Sequence, residues 1–399
     1  MRAFDSRLAG IIASIDREET IDLARSLVRI PTISGREGLS ISEFMADWLR
    51  DARVEPGLQH VGPERANVIG RLGGMRPGTR LLLNGHLDTK PADTMTIDPF
   101  SGDVVDGRLY GRGSCDMKGP VAAMMIAMKA LAGIGTDLNG TLLFGSEVGE
   151  DGGGWRFDDL IDGPCACDVG ICGEPTNLEL HVGCRGFYPL KVRTIGRATH
   201  TGFAYSGINA IQKMCSVIPA LYNLQCFHQV DPLWGRSPIN AMIIAGGGKV
   251  SASVPDECDV RFDIRLNPNL SPVEVERIIE VELDRLMAGD PELKLIIEKP
   301  EMKPDQETGG TPASHLLPNH PVVESVARAT ARVTGARPVL AGFPGGCSTA
   351  LMHMRGIPSV VIGPGNLLQA HTVDEWIDVD QIYEAAKIYA SIAYEFLLS

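Results

Sequence analysis

The sequence has 399 residues, of which 44% are hydrophobic and 22% charged, as in an ordinary globular enzyme. Its net charge of −13 disfavours nucleic acids and anionic membranes as partners, because proteins bind both through basic patches. At roughly 150 residues per domain, the length predicts two or three domains.

Cysteine usage and the N-terminal segment predict a cytoplasmic protein with reduced thiols. The nine cysteines are scattered, and the first residues contain no continuous apolar core typical of a secretion signal. No apolar run approaches the roughly 20 residues that a membrane-spanning helix needs. Cys165 and Cys167 are expected to be structural thiols, because a metal pair usually has a two-residue gap and a second pair elsewhere.

The first half of the chain alternates between predicted helices and buried strands. Helical segments over residues 4–29 end before Pro31, which disfavours a helical conformation at the residue preceding it. Strands are predicted over 67–72, 80–84, 141–144 and 168–172, and a buried helix over 118–132. This alternation favours an α/β sheet.

The pattern changes near residue 187. Residues 188–194 alternate like a half-exposed strand, and further strands are predicted over 239–245, 258–266 and 293–298. Helices are predicted over 209–224 and 272–287. The order β-α-β-β-α-β is the split βαβ pattern of a small open-faced domain. After a Pro- and Gly-rich linker over 303–318, a helix, a strand over 359–362 and a helix follow. We therefore predict an α/β domain over 1–187 and 309–399, interrupted by a small α+β domain over 188–308.

Five loops place histidines or carboxylates near the ends of predicted elements. They contain His86 and Asp88, then Asp116, then Glu147, Glu150 and Asp151, then Glu174, and finally His371, Asp374 and Glu375. Each loop has a simpler explanation by itself: Asp116 could cap the helix that follows, for example. Together they indicate one site, because open α/β sheets bind ligands at the carboxyl ends of their strands. Histidine and carboxylate ligands without cysteine suit zinc or a similar divalent ion.

Four of these segments resemble signature segments of the M20 metallopeptidases. They are residues 86–89 (His-Leu-Asp-Thr), 111–119 (Gly-Arg-Gly-Ser-Cys-Asp-Met-Lys-Gly), 173–176 (Gly-Glu-Pro-Thr) and 370–375 (Ala-His-Thr-Val-Asp-Glu). That family includes acetylornithine deacetylase, succinyl-diaminopimelate desuccinylase, aminoacylase and the glutamate carboxypeptidases. The resemblance runs in order over almost the whole chain. It implies an α/β zinc-hydrolase domain with an inserted dimerisation domain, and therefore a homodimer.

The resemblance also implies a role for each residue of the cluster. One ion would be held by His86, Asp116 and Glu174, and the other by Asp116, Asp151 and His371. Asp88 would orient His86, and Glu150 would be the general acid/base, with Glu147 as a competing candidate. The family usually has two glutamates at 150–151, so Asp151 bears on the affinity of the second ion. Zinc is the expected metal, with cobalt and manganese as alternatives.

Three residues of the inserted segment are also implied in the site. Residues 196–202 resemble the loop in which a family histidine stabilises the oxyanion in the neighbouring subunit, which assigns that role to His200. Asn240 and Arg265 lie where the family often contacts a substrate carboxylate. Residues 345–349 depart from the family's more common Gly-Thr-Asp form, and this loop usually lines the substrate pocket.

The predicted function is removal of the acyl group from a small N-acylated amino acid, as in acetylornithine deacetylase. A carboxypeptidase-like enzyme that releases a C-terminal amino acid from a short peptide is the alternative with the same metal centre. A non-catalytic metal-binding protein of the same fold is the alternative from another class. Glu150 favours an enzyme, because a binding protein has no need of a base beside two ligands.

Overall fold

The computed structural model describes residues 6–73, 76–133, 138–152, 155–248, 250–299 and 309–398. The chain separates into two compact units. Unit 1 comprises Met1–Gly183, His315–Phe343 and Cys347–Ser399, and unit 2 comprises Cys184–Ser314 and Pro344–Gly346. The predicted domain limits stay predictions. The limit at 308 and residues 303–308 of the predicted linker lie outside the described residues.

Unit 1 is organised around a mixed sheet of eight strands. In spatial order these are β1 (Glu55–Gly62), β2 (Arg65–Gly73), β6 (Asn139–Glu147), β3 (Arg76–His86), β7 (Val169–Cys172), β14 (Ser359–Val361), β8 (Leu180–Cys184) and β13 (Leu340–Phe343). A small sheet contains β4 (Val104–Val105), β5 (Arg108–Tyr110) and β15 (Trp376–Asp378).

The centre of the large sheet is parallel. Strand β3 pairs in parallel with β6 and β7, and β14 pairs in parallel with β7. His86 at the end of β3 lies opposite Glu147 at the end of β6. The carboxyl ends of these strands therefore meet at one edge of the sheet, where the sequence predicted the site.

Eight helices belong to the described part of unit 1. They are α1 (Ser6–Ala13), α2 (Arg17–Val28), α3 (Ser40–Asp51), α4 (Gly119–Gly133), α5 (Phe157–Ile161), α8 (Pro321–Thr334), α9 (Thr349–Met354) and α10 (Val379–Leu397). Helix α4 is apolar on nearly every side and packs against α2 and α10. A helix without a polar face has to be buried, so α4 forms the core beneath the site.

Unit 2 has a four-stranded sheet with two helices. Along the chain its elements are β9 (Gly186–Ile195), α6 (Ala210–Tyr222), β10 (Ile239–Gly247), β11 (Glu257–Leu266), α7 (Pro272–Gly289) and β12 (Lys294–Glu298). The strand order is β10-β11-β9-β12, with β10 at an edge. Alternate residues of β9 are buried among α6 and α7 residues, as the period of two predicted.

The structure confirms the predicted fold class, an α/β domain with an inserted α+β segment in the order β-α-β-β-α-β. The sequence analysis missed the helices α3 and α5 and the strands β1, β4, β5, β8, β13 and β15, and it predicted one helix where α8 and α9 lie. In the part of the chain that the structure describes, no helix combines the length and apolar character needed to cross a bilayer.

Candidate metal centre

Asp116 occupies the middle of the cluster at the edge of the large sheet. It lies in a single turn, Ser114–Lys118, that follows Gly113. Gly113 has a φ of +81°, and a Cβ there would come within 2.5 Å of the Thr89 side chain, so this position requires glycine. The resulting tight turn places Asp116 next to His86 at the end of β3.

Each carboxylate oxygen of Asp116 contacts a different histidine. Oδ1 is 2.9 Å from Nε2 of His86, and Oδ2 is 3.1 Å from Nε2 of His371. A carboxylate that faces two imidazoles through its two oxygens has the geometry expected of a ligand that bridges two ions. The structure thus brings together residues that are 285 positions apart in the sequence.

The two remaining predicted ligands lie at opposite ends of this arrangement. Glu174, just after β7, has Oε1 4.0 Å from Nε2 of His86. Asp151 has Oδ1 3.2 Å from Nε2 of His371. One potential ligand atom from each of His86, Asp116 and Asp151 lies within 4.8 Å of the other two. All five predicted ligands are therefore in one cluster.

Asp88 contacts His86 differently from the sequence-based expectation. Nδ1 of His86 donates to the backbone oxygen of Asp88 at 2.9 Å, while the carboxylate Oδ1 is 3.7 Å from Nδ1. This bond leaves Nε2 unprotonated when His86 is neutral, as a metal ligand must be. The Asp88 carboxylate instead accepts hydrogen bonds from three consecutive backbone N–H groups, those of Gly149, Glu150 and Asp151. It therefore fixes the loop that carries the predicted base and a predicted ligand.

The site holds more buried carboxyl groups than it has cationic side chains around it. Burial raises the pKa of Glu174 well above its usual value and that of Glu150 to about 8. Burial would also raise the pKa of Asp116, but hydrogen bonds from His371 and His86 hold it below its usual value. The same contacts to Asp116 and Asp151 raise the pKa of His371 to about 9. These carboxylates and imidazoles are therefore packed closely enough to shift one another's pKa values.

The residues present fit divalent ions. Oδ2 of Asp151 is buried and has no hydrogen-bond partner, so one ligand oxygen is left for a cation. The donors are imidazole nitrogens and carboxylate oxygens, which suit zinc and related divalent ions. The excess of buried carboxylates would be stabilised by two such ions.

The two candidate bases have different surroundings. Glu147 is 1% exposed and accepts a hydrogen bond of 2.6 Å from Nδ2 of Asn84, whose Oδ1 accepts from Ser348. Burial raises the pKa of Glu147 to about 8. Glu150 is only partly buried, and its backbone is held by Asp88. Glu150 is thus the better placed of the two to exchange protons with water.

Sequence reasoning missed Lys90, and it gave no role to Glu375. Lys90 places Nζ 2.8 Å from Oδ1 of Asp151 and 2.6 Å from its backbone oxygen. Glu375 accepts hydrogen bonds from the loop that carries Asp116. The signal for Lys90 was its position two residues after Asp88, and Glu375 belongs to a segment that the sequence analysis had already singled out.

The three other predicted site residues belong to unit 2. His200 is exposed, and its Nδ1 accepts a hydrogen bond of 3.0 Å from the backbone of Gly202. Asn240 on β10 lies opposite Asp263 on β11. Arg265 forms two hydrogen bonds with Asp263, of 2.8 and 3.0 Å, so a substrate carboxylate would compete with Asp263 for this guanidinium. The roles of these three residues stay predictions.

Comparison with known proteins agrees with this chemistry. Residues 82–395 match the sequence model of Peptidase family M20/M25/M40. The N-formyl-4-amino-5-aminomethyl-2-methylpyrimidine deformylase of Bacillus subtilis is 27% identical over 96% of this chain and 95% of its own length. The enzyme of the same name from Halalkalibacterium halodurans is 26% identical over 98% of each chain. An M20 family metallo-carboxypeptidase from Sulfolobus solfataricus has a TM-score of 0.77 at 19% identity, covering 95% of this chain and 99% of its own.

The fold and the matches together define a metal-dependent hydrolase that acts on amide C–N bonds. Within that class, the chain belongs to Peptidase family M20/M25/M40. This membership confirms the resemblance predicted from the four signature segments, and the hydrolases among the matches support an enzyme over the non-catalytic alternative.

Proposed function

We propose that the protein is a two-ion amidohydrolase that removes a small acyl group from an N-acylated amino acid or a similar small amine. The observation that carries this proposal is the position of Asp116, whose two oxygens face His86 and His371 at 2.9 and 3.1 Å. One ion would be held by His86, Asp116 and Glu174, and the other by Asp116, Asp151 and His371. When bound, the ions supply the Lewis acidity that makes water nucleophilic near neutral pH.

Glu150 would take the proton from the attacking water and deliver it to the nitrogen of the departing amine. A base of this kind works best when its pKa lies near the operating pH. Burial already raises the pKa of Glu150 into that range, to about 8. Hydrogen bonds from the loop to Asp88 would keep the Glu150 backbone in place while the proton moves.

His200 would stabilise the oxyanion in the site of the partner subunit, as the family resemblance implies. The homodimer that this role requires is supported by the edge strand β10, which exposes Met242, Ile243 and Ile244 by 53%, 50% and 61%. Apolar side chains on an unpaired edge strand are a common feature of surfaces that pair with another chain.

The small acyl group is supported by the two deformylase relatives, which are named for removing a formyl group from an aminomethylpyrimidine. Arg265 and Asn240 would hold a substrate carboxylate, because a guanidinium matches a carboxylate through paired hydrogen bonds. The second candidate is a carboxypeptidase-like activity, because Arg265 could equally hold the C-terminal carboxylate of a peptide. Zinc is the proposed metal, with cobalt and manganese as alternatives.

A substrate panel on metal-defined protein tests the proposal. Metal-free protein and protein loaded with zinc, cobalt or manganese would be given N-formyl, N-acetyl and N-succinyl amino acids, an N-formylated aminomethylpyrimidine and dipeptides. We expect the fastest hydrolysis among the N-acyl compounds, up to two ions per chain, and no turnover after chelation. Faster cleavage of dipeptides would favour the carboxypeptidase-like candidate. Full activity in verified metal-free protein would reject the two-ion mechanism.

A further inference from the structure

One buried carboxylate near the centre has no part in the proposed reaction. Glu375 lies four residues after His371 and is 1% exposed. Its Oε1 accepts hydrogen bonds of 2.9 Å from the backbone N–H groups of both Cys115 and Asp116. Its Oε2 accepts from the backbone N–H of Gly113 at 3.0 Å and from Nη1 of Arg112 at 2.9 Å. All four donors belong to the loop that carries Asp116.

The backbone on both sides of this contact is held as well. The N–H of Gly111 donates to the backbone oxygen of Glu375 at 3.0 Å. The next residues, in strand β15, pair with strand β5 just before the loop, so that Trp376 lies opposite Tyr110. From Glu375 onward, the segment that carries His371 is therefore joined to the loop that carries Asp116 and to the strand before it.

The tight turn explains why a carboxylate is needed here. Its backbone N–H groups converge on one point, and such a concavity favours an anion. Buried N–H groups without an acceptor would destabilise this conformation. Because the N–H of Asp116 is itself one of the donors, a change at Glu375 would alter the position from which Asp116 reaches His86 and His371.

We propose that Glu375 is a positioning residue that sets the place of Asp116 relative to His371, and thereby the affinity and geometry of the ions held there. The inference rests on the ligand assignment of the proposed function. It concerns a residue that does not itself contact an ion, so its effect should be measured on ion binding in addition to turnover.

The test compares the full-length variants Glu375→Gln and Glu395→Gln with the wild-type protein. Glutamine keeps the size of the side chain. Its amide NH₂ group cannot accept hydrogen bonds, however, so one of the two pairs of N–H donors would lose its acceptor. We expect Glu375→Gln to bind zinc about 10–100-fold more weakly in a competition titration with a chelator, the usual effect of losing a partner behind a metal ligand. The visible absorption of the cobalt-loaded variant should also change, because its ligands have moved.

Glu395→Gln is the matched control. It measures the effect of losing a largely buried carboxylate elsewhere in unit 1. Glu395 lies on α10, its side chain is 9% exposed, and it forms ion pairs with Arg328 and Arg332 on α8. This variant can lose thermal stability, but it should keep the zinc affinity and cobalt spectrum of the wild type. If Glu375→Gln only lowers the melting temperature and leaves both readouts unchanged, the residue is structural and the inference is wrong.

Glu375→Asp provides a second variant if the glutamine variant does not fold. It keeps the charge but is one methylene too short to retain both pairs of hydrogen bonds, so a smaller loss of affinity is expected. Wild-type affinity and spectrum in Glu375→Asp would also overturn the inference. A wild-type protein that binds no divalent ion would reject the ligand assignment itself, whereas unchanged affinity in the Glu375 variants would reject only the positioning role.

Discussion

The two ends of the metal cluster have similar donors in different surroundings. At the His86 end, the side chains of His86 and Glu174 are 1% and 7% exposed. At the His371 end, the histidine side chain is 49% exposed, and Oδ1 of Asp151 already contacts the ammonium group of Lys90. Burial strengthens the attraction of carboxylates for a cation, and a nearby ammonium group weakens it. The same ligand types should therefore hold one ion tightly at the buried end and exchange the other at the open end.

The largest expected effect is a loss of turnover, because hydrolysis requires both ends of the cluster to act on one substrate. Glutamine has the shape of glutamate but cannot accept the proton, so Glu150→Gln should lower turnover by about 10²–10⁴-fold. Metal analysis and thermal melting should find both ions and the fold retained. If the variant loses an ion and keeps activity, the roles of Glu150 and Asp151 are reversed. If Glu147→Gln alone abolishes turnover, Glu147 is the base.

Loss of the proposed oxyanion donor, His200, should have the next largest effect. Removing one such donor typically lowers turnover by about 10²–10³-fold, so His200→Ala should lose most of its rate. Both ions and the dimer should remain, as measured by metal analysis and by light scattering. Loss of the dimer would instead give His200 a role in assembly.

Mixing two inactive variants shows which subunit supplies this histidine. A mixed dimer of His200→Ala and Glu150→Gln has one site in which Glu150 is intact and His200 comes from the other chain. If catalysis is supplied across subunits, up to about a quarter of wild-type activity should return, because half of the dimers are mixed and each has one complete site. No recovery after demonstrated subunit exchange would exclude a role in the partner's site.

Most of the cluster could be predicted because its residues follow strand ends. His86 ends β3, the 147–151 loop begins at the end of β6, and Glu174 follows β7. Parallel strands bring such positions together at one edge of the sheet. Contacts of the loops could not be predicted in this way. Glu375 meets Cys115 across 260 positions of sequence, through the pairing of two three-residue strands. The position of the Asp88 carboxylate could not be predicted either. The spacing of residues 86 and 88 indicated a contact with His86, whereas the carboxylate accepts hydrogen bonds from the 149–151 backbone.

The fold could be predicted where hydrophobic periodicity was strong. The buried helix α4 and the alternating strand β9 agree closely with their predicted ranges. Strand β1 was missed, because it contains Pro56, Gly57 and Gly62 and its residues are half-buried or exposed without alternation. Its place at the edge of the sheet follows from pairing with β2, which a sequence pattern does not reveal.

The third test is the pH dependence of stability. Measured on metal-free protein, it reports on buried carboxyl groups without a contribution from bound ions. Burial raises the pKa of Glu147 to about 8 in the folded protein, against 4.5 in a solvated chain. Between these values the unfolded state releases a proton that the folded state keeps. The free energy of unfolding of metal-free protein should therefore fall as the pH rises from 4.5 to 8, by on the order of a few kcal/mol from this residue.

Calorimetry of metal-free protein between pH 5 and 8 would measure this slope. Glu147→Gln should make it shallower, because the amide does not titrate. Asp168→Asn is the control: the contact with Arg80 lowers the pKa of Asp168 from 3.8, so its contribution changes only below the measured range. Equal slopes in the wild type and Glu147→Gln would mean that Glu147 is ionised in the folded protein.

Lys90 gives the smallest expected effect and the most direct test of the difference between the two ends. Its side chain is 32% exposed, and its Nζ lies 2.8 Å from Oδ1 of Asp151, a predicted ligand of the second ion. Lys90→Met removes a positive charge beside the open end and leaves the buried end unchanged. Because solvent screens a partly exposed charge, the second ion should bind only about three- to tenfold more tightly.

A two-step zinc titration against competing chelators would resolve the affinities of the two ions. Lys90→Arg is the matched control, because it keeps the charge and should leave both affinities near those of the wild type. In Lys90→Met only the weaker step should strengthen, which would place that step at the Asp151 and His371 end. If the weaker step instead weakens further, the hydrogen bonds of Lys90 to Asp151 matter more than its charge, and the lysine supports the second ion by orienting its ligand. If both binding steps change equally, Lys90 affects both ions alike, and the proposed difference in surroundings between the two ends is wrong.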